Sequence, residues 1–316
     1  MLETSDGRHL WEWHSACGLK KAVHISQSST SWRTMLLHVD TRDPLAVAKQ
    51  VEADYDLMFG STDRLFVPQA FGWAVDCFTG QLRDYLAIDA QYHDFEHTLQ
   101  GTLCFSSLLR GRFQIGVQPV LSRGGFELGL LAILLHDTGY LKRRNDPDGT
   151  GAKYTLTHVA RSCDFAAEFL PSKGYTPNQI HSAQNMIRCT GVDVDLKSIQ
   201  FLSEEERIIG YALGTADLLG QMAAPDYVEK LPVLYQEFVE AARYTGQSSK
   251  LLAGFSSAED LIRKTPGFWE KYVRTKIERD FQGLFRFLAD PLPDGPNSYL
   301  RCVEANIERL RRMAAR

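Results

Sequence analysis

From Asp43 almost to the C-terminus, apolar residues recur at helical spacing, and no run of β-branched residues alternates strongly enough to form a sheet. Helix starts are marked as well. Asp43-Pro44 pairs an N-cap with proline at the first turn, Thr176-Pro177-Asn178-Gln179 and Ser203-Glu204-Glu205-Glu206 have capping-box form, and Ser256-Ser257-Ala258-Glu259 repeats the signal. The pattern predicts helices over 43–59, 66–86, 92–109, 125–140, 156–170, 177–189, 204–222, 225–244, a short one from Ser257, 265–288 and 299–313. The fold class is therefore all-α, a multi-helix bundle.

Residues 1 to 40 lack either periodicity. They carry Trp11, Trp13, Trp32 and four of the nine histidines, and the Ser/Thr cluster 26–31 adds to the impression of an irregular extension in which Met35 offers an alternative start. The expected organisation is an N-terminal extension over 1–40 and a single all-α domain over 41–316, with no internal repeat.

A net charge of -4 gives no basic footprint, which argues against duplex nucleic acid as a partner. The six cysteines form no Cys-x-x-Cys pair, so a disulfide framework and a thiolate zinc site are both disfavoured. No signal-like N-terminus is present, and the longest apolar run, Leu128 to Leu135, is too short to span a membrane. The expectation is a soluble cytoplasmic protein without a membrane partner; oligomeric state stays open.

The apolar run ends in His136-Asp137, in the sequence LLAILLHDTGY. An imidazole and a carboxylate delivered by a buried helix are costly unless compensated, and a cation compensates both. Other polar residues fall on predicted helices in the same region: His93 and His97 in YHDFEH, four apart and so on one helix face, then His158, His181, and Asp217 in YALGTADLLGQM. Taken alone, each histidine is most often a hydrogen-bonded core residue. Their joint occurrence in one all-α chain favours a metal site. Gly210 and Gly214 share the face of Asp217 and read either as a cleft wall or as close helix packing. Imidazole and carboxylate without thiolate suit Zn, Mn, Fe or Ni, with Mg where carboxylate and water dominate. Six candidate ligands, His97, His136, Asp137, His158, His181 and Asp217, suit two divalent ions with Asp137 as the bridge.

The order His97, His136-Asp137, Asp217 resembles the defining motif of the HD superfamily of metal-dependent phosphohydrolases, and His158 and His181 resemble the extra histidines of its two-ion members. YHDFEH is similar to the YHNxxH signature of cyclic-nucleotide phosphodiesterases. The resemblance covers roughly residues 85–225. It implies an HD-type bundle, His93 as general acid, His97 as metal ligand, and a catalytic role for Asp137. Asp94 departs from the signature asparagine, Tyr140 stands in place of another histidine, and the Gly-Tyr-Pro signature of HD-GYP members is absent. Gln221 and Gln282 are the candidates for a nucleotide-gripping glutamine.

The resemblance implies hydrolysis of a small-molecule phosphoester, a cyclic nucleotide or other nucleotide, by a hydroxide bridging two ions, with His93 protonating the leaving oxygen. Lys142, Arg143 and Arg144 follow the His-Asp pair and are candidate phosphate contacts, against a reading as a solvated loop. Two alternatives come from other classes: an HD-fold di-iron oxygenase, and a non-catalytic nucleotide-sensing HD module.

Overall fold

Serine, threonine and acidic side chains close the helix starts as the periodicity predicts. In the computed structural model, which describes residues 39–61, 65–246 and 254–315, Asp43 accepts from the Leu45 amide, Ser203 from Glu206 and Ser257 from Asp260. At Thr176 the full reciprocal box with Gln179 forms. The ten α-helices among the described residues are α1 (Pro44–Phe59), α2 (Phe66–Phe78), α3 (Phe95–Ile115), α4 (Arg123–Leu135), α5 (His158–Phe169), α6 (Pro177–Arg188), α7 (Glu204–Ala223), α8 (Tyr227–Thr245), α9 (Ala258–Phe268) and α10 (Ser298–Ala314). They fall within one compact unit. The described residues form no β-strand, so the fold is all-α; only two isolated bridges occur, Tyr85 to Arg143 and Ala289 to Asn297. The expectations for residues 1–38, including Met35 and the four histidines there, lie outside the described residues.

Several boundaries differ from the sequence reading, among them the end of the helix expected over 92–109, which runs on to Ile115, and of the one expected over 125–140, which stops at Leu135. The helix expected over 66–86 ends at Phe78, because Gly80 turns the chain at φ 74°. The helix expected from Tyr92 begins at Phe95: Asp94 is its N-cap and accepts from the His97 amide at 2.8 Å, so His93 precedes the helix. Pro266 does not start a helix but lies inside α9, after which the chain passes through π-type turns at Trp269–Val273 and Lys276–Asp280.

Helices α3 and α7 are the most extensively packed pair and form the centre. Gly220 of α7 permits their closeness: a Cβ there would lie 2.8 Å from the Gln100 carbonyl oxygen and 2.8 Å from the Gly101 nitrogen, both backbone atoms. Helix α1 docks on α3 through buried Asp54, which accepts from Ser106 Oγ and Arg110 Nη1, each at 2.8 Å. Helices α4 and α6 pack against α7 and against each other, and α10 covers α7 from another direction. The apolar run of α4, Leu130 to Leu135, is buried throughout, so its C-terminus carries His136 into the interior.

Candidate metal centre

Four side chains from three parts of the fold converge on one point. His97 comes from the first turn of α3, His136 is the C-cap of α4, Asp137 follows it, and Asp217 projects from the middle of α7. His97 Nε2 is 3.3 Å from Asp137 Oδ2 and 3.2 Å from Asp217 Oδ1; His136 Nε2 is 3.3 Å and 3.5 Å from the same two oxygens. Two ligand atoms each about 2.1 Å from a shared cation lie roughly 3.0–3.4 Å apart at octahedral or tetrahedral angles. The four imidazole–carboxylate separations therefore match those between ligands of one cation, and His97, His136 and Asp137, all buried, form a cluster that could hold a metal ion.

The hydrogen bonds point the same way. His136 Nδ1–H donates to the Ile133 carbonyl at 2.7 Å, which leaves Nε2 as the lone-pair nitrogen facing the quartet. Nε2 of His136 and Oδ2 of Asp137 are buried and have no hydrogen-bond partner. Groups orphaned in this way are costly unless a cation takes them up. Burial opposes charge on His136, yet the carboxylates of Asp137 and Asp217 outweigh it and push the imidazole up to about 9. Burial likewise opposes charge on Asp137 and Asp217, but the imidazoles hold both below the usual carboxylate range. A cation would take the place of that imidazolium proton.

The His-Asp turn is held from α5. Ser162 Oγ accepts from the Gly139 amide at 2.8 Å and donates to the His136 carbonyl, while Arg161 donates to the carbonyls of Gly139 and Leu141. Only glycine fits at 139, since a Cβ would sit 1.9 Å from the His158 carbonyl oxygen. This contact brings His158 alongside: its Nδ1–H donates to the Thr155 carbonyl at 2.6 Å, and its Nε2 lies 4.0 Å from Asp137 Oδ1. Burial holds the His158 imidazole below its ordinary value, against the pull of Asp137.

His93 reaches the site although it lies outside the helix. Its ring stacks on Tyr140 at 4.5 Å and 12°, and Tyr140 stacks on His158 at 4.7 Å and 20°. Nδ1–H donates to Glu237 Oε2 at 2.6 Å, and Glu237 Oε1 accepts from the Tyr92 amide at 2.7 Å. Burial would lower His93, but the charge and hydrogen bond of Glu237 outweigh it and leave the imidazole raised. Glu237 itself is held low by His93 against its own burial. The sequence reading did not single out Glu237, whose signal is an acid on the apolar stripe Leu234, Glu237, Ala241 of α8.

Other expected site residues are placed elsewhere. His181 is exposed on α6 and does not join the quartet, because that helix turns Ile180, Ala183 and Ile187 inward instead. Lys142 is buried and tied to Asp89 at 2.9 Å and to the Gly149 carbonyl. Arg143 pairs with Glu168 over the Tyr85 ring, and Arg144 donates to the carbonyls of Arg83, Gly80 and Leu82. These three cations hold the 141–146 segment against residues 80–89 instead of meeting at the quartet. Gln221 does lie beside it: Nε2 donates to the Asp217 carbonyl at 3.2 Å and Oε1 accepts from Tyr92 Oη at 2.8 Å. Gly214 resolves toward close packing, with a Cβ there falling 2.5 Å from the Phe281 ring and 2.7 Å from the Cys189 carbonyl oxygen.

A family model described as Npun_R2479-like matches residues 45–286, most of the chain and all of the quartet. The chain belongs to the Npun_R2479-like family. That description names no activity, and no curated protein matches the chain. Among the described residues no helix is long and apolar enough to cross a membrane.

Proposed function

We propose that this protein is a metal-dependent phosphoester hydrolase of HD type, acting on a small nucleotide-like phosphoester through one divalent cation held by His97, His136, Asp137 and Asp217. The observation that carries the reading is the quartet itself: each imidazole Nε2 lies 3.2–3.5 Å from each carboxylate oxygen, two of the four atoms are buried and orphaned, and a carboxylate-held histidine stands beside them. When bound, such a cation supplies Lewis acidity, making a water acidic near neutral pH and screening the charge of the phosphoryl oxygens. Zn, Mn, Fe and Ni suit this set of two imidazoles and two carboxylates better than Mg does.

The chain's own residues supply the rest. Glu237 fixes the His93 ring through Nδ1, so Nε2 is the atom left to deliver a proton to the leaving oxygen. The Tyr140 ring packs against both His93 and His158 and restricts rotation of both imidazoles. Gln221 braces Asp217 and Tyr92. Of the predicted ligands for a second ion, His158 lies near Asp137 Oδ1 while His181 is exposed and away from it. That favours one ion over two, and a hydrolase over a di-iron oxygenase.

Protein purified without added metal should hold about one divalent cation per chain. It should hydrolyse at least one member of a panel comprising cyclic nucleotides, nucleoside monophosphates and an aryl phosphodiester. Asp137→Ala should remove cation and turnover together. Two irons per chain with oxygen-dependent turnover and no phosphoester hydrolysis would sink the reading.

A further inference from the structure

Beside the α3–α7 crossing lies a cavity of about 350 Å³, at the lower end of the range, roughly 300–1,000 Å³, of small-molecule sites. None of the quartet lines it, yet it adjoins the quartet. Of its lining residues, Gln100 follows His97 by three positions on α3 and Gly220 follows Asp217 by three on α7, about 4.5 Å further along each helix. A second hollow of about 10 Å³, roughly one water, is lined by His97, Tyr92, Gln221 and Lys230 and shares Gln100 and Ala224 with the first. The large cavity therefore has a wall in common with the space that a metal ligand lines.

Its charge is one-sided. Among the described lining residues, Asp40, Glu96 and Asp226 are acidic and Arg42 is the single cation. Lys230 and Asp94 stand beside them, 3.5 Å from each other, and add one charge of each sign, so the carboxylates still outnumber the cations. Glu96 is well compensated: it accepts from Thr41 at 3.2 Å and pairs with Lys230 at 3.3 Å and Arg42 at 3.4 Å. Asp226 is not, since Lys230 lies 3.6 Å and Arg42 4.0 Å from its Oδ2, both beyond hydrogen-bond length. The rest of the wall is largely apolar, with Leu103, Ala223, Ala224 and Tyr299. A cavity walled by apolar groups and an excess of carboxylates concentrates cations and repels anions. Tyr299 supplies an aromatic ring of the kind that favours alkylammonium groups.

We infer that this cavity holds the alkylammonium end of the substrate, which makes the substrate class the phosphoesters of amino alcohols. The inference rests on the hydrolase reading: the phosphoryl end belongs to the quartet, and a short carbon link carries the ammonium into the neighbouring cavity. Hydrolysis breaks the phosphorus–oxygen bond to the amino alcohol, and water supplies the oxygen of the new bond to phosphorus. One proton of that water ends on the alcohol by way of His93, the other on phosphate.

The test uses the full chain and two pairs of probes that differ only in having nitrogen or neutral carbon at one atom. Choline against its carbon isostere dimethylbutanol reads binding, and phosphocholine against dimethylbutyl phosphate reads turnover. By calorimetry and ligand-observed NMR, choline should bind with a dissociation constant on the order of 1 mM and at least about tenfold tighter than its isostere. In the metal-loaded protein, kcat/KM should favour phosphocholine over its isostere at least about tenfold. Asp226→Asn should weaken choline binding, and reduce that preference, at least about fivefold. Arg42→Ala removes the cation of the wall and should tighten choline binding at least about twofold, a gain that misfolding cannot produce. Asp137→Ala should bind choline as the parent does. The assignment is overturned if choline and its isostere bind equally, if Asp226→Asn and Arg42→Ala both keep parental affinity, or if the two phosphoesters turn over with equal kcat/KM; each of these can occur while the hydrolase reading stands. Loss of choline binding in Asp137→Ala would also overturn it, by moving the probe to the metal centre. Selective choline binding without hydrolysis of any phosphoester would instead refute the hydrolase reading, and the substrate class with it.

Discussion

The closeness of α3 and α7 is the packing feature on which the quartet depends, and Gly220→Ala probes it directly. The added Cβ would meet Gln100 O at 2.8 Å, Gly101 N at 2.8 Å and Gln100 C at 2.9 Å, and none of these backbone atoms can rotate away. Restoring ordinary carbon contact, about 3.5 Å or more, requires the helices to part by roughly 0.7 Å. Overpacking of this kind costs about 1–3 kcal/mol, and alanine returns up to about 1 kcal/mol of helix propensity. A net loss of about 1–2 kcal/mol corresponds to a fall of roughly 2–6 °C in Tm for a domain of this size. His97 rides on α3 and Asp217 on α7, one turn from Gly220, so their 3.2 Å separation must widen. Displaced ligand support typically lowers metal affinity about 10–100-fold. Thermal denaturation followed by circular dichroism reads the first effect, and competition with a chromophoric chelator for Zn or Mn reads the second. Gly72→Ala is the control: it sits in α2 with nothing near its would-be Cβ, and should gain about 0.5–1 kcal/mol with unchanged metal affinity. If Gly220→Ala kept both the parent Tm and the parent affinity, the claim that this crossing sets the quartet would be wrong.

His93→Ala should keep the cation and lower turnover about 10²–10⁴-fold, the usual contribution of a general acid; unchanged turnover removes it from the reaction. Glu237→Gln should retain the cation and a folded spectrum yet lower turnover at least about tenfold, because the amide cannot hold a cationic His93 as the carboxylate does; parental turnover counts against the pair. His181→Ala should leave cation content and turnover within about twofold of the parent, consistent with an exposed side chain away from the quartet, and loss of a metal ion in this variant would restore it as a ligand. Lys142→Ala should destabilise by about 1–3 kcal/mol, since it strips Asp89 and the Gly149 carbonyl of a buried partner. Urea unfolding measures the change, and a neutral result would argue for the phosphate-contact role instead.

Helix class and helix starts were legible because their causes are local. Thr176 and Gln179 lie within one turn of each other, and so do Ser203 and Glu206; no distant residue is needed to form such caps. The quartet was legible for a related reason. A buried apolar run ending in His136-Asp137 is unstable without a compensating charge, and that need is written in the composition of the run. Asp94 was misread from the same kind of information: its capping of the His97 amide puts His93 ahead of the helix, and YHDFEH supports either a helical pair or a cap followed by a helix.

What distance in the chain conceals is which surface each polar residue meets. His181 and His158 are equally plausible from their spacing, but Gly139 lets the start of α5 approach the His-Asp turn, whereas the apolar face of α6 turns His181 to solvent. The run Lys142-Arg143-Arg144 reads as a phosphate contact until Asp89, Glu168 with the Tyr85 ring, and the carbonyls of Gly80 and Arg83 take up the three cations. Glu237 stands 144 positions from the histidine it holds. Periodicity and capping are short-range energies, set by residues a few positions apart, so the sequence alone determines them. The pairing of Glu237 with His93, the exclusion of His181 and the spacing of the quartet depend on how whole helices pack, which is decided by contacts between residues tens to hundreds of positions apart.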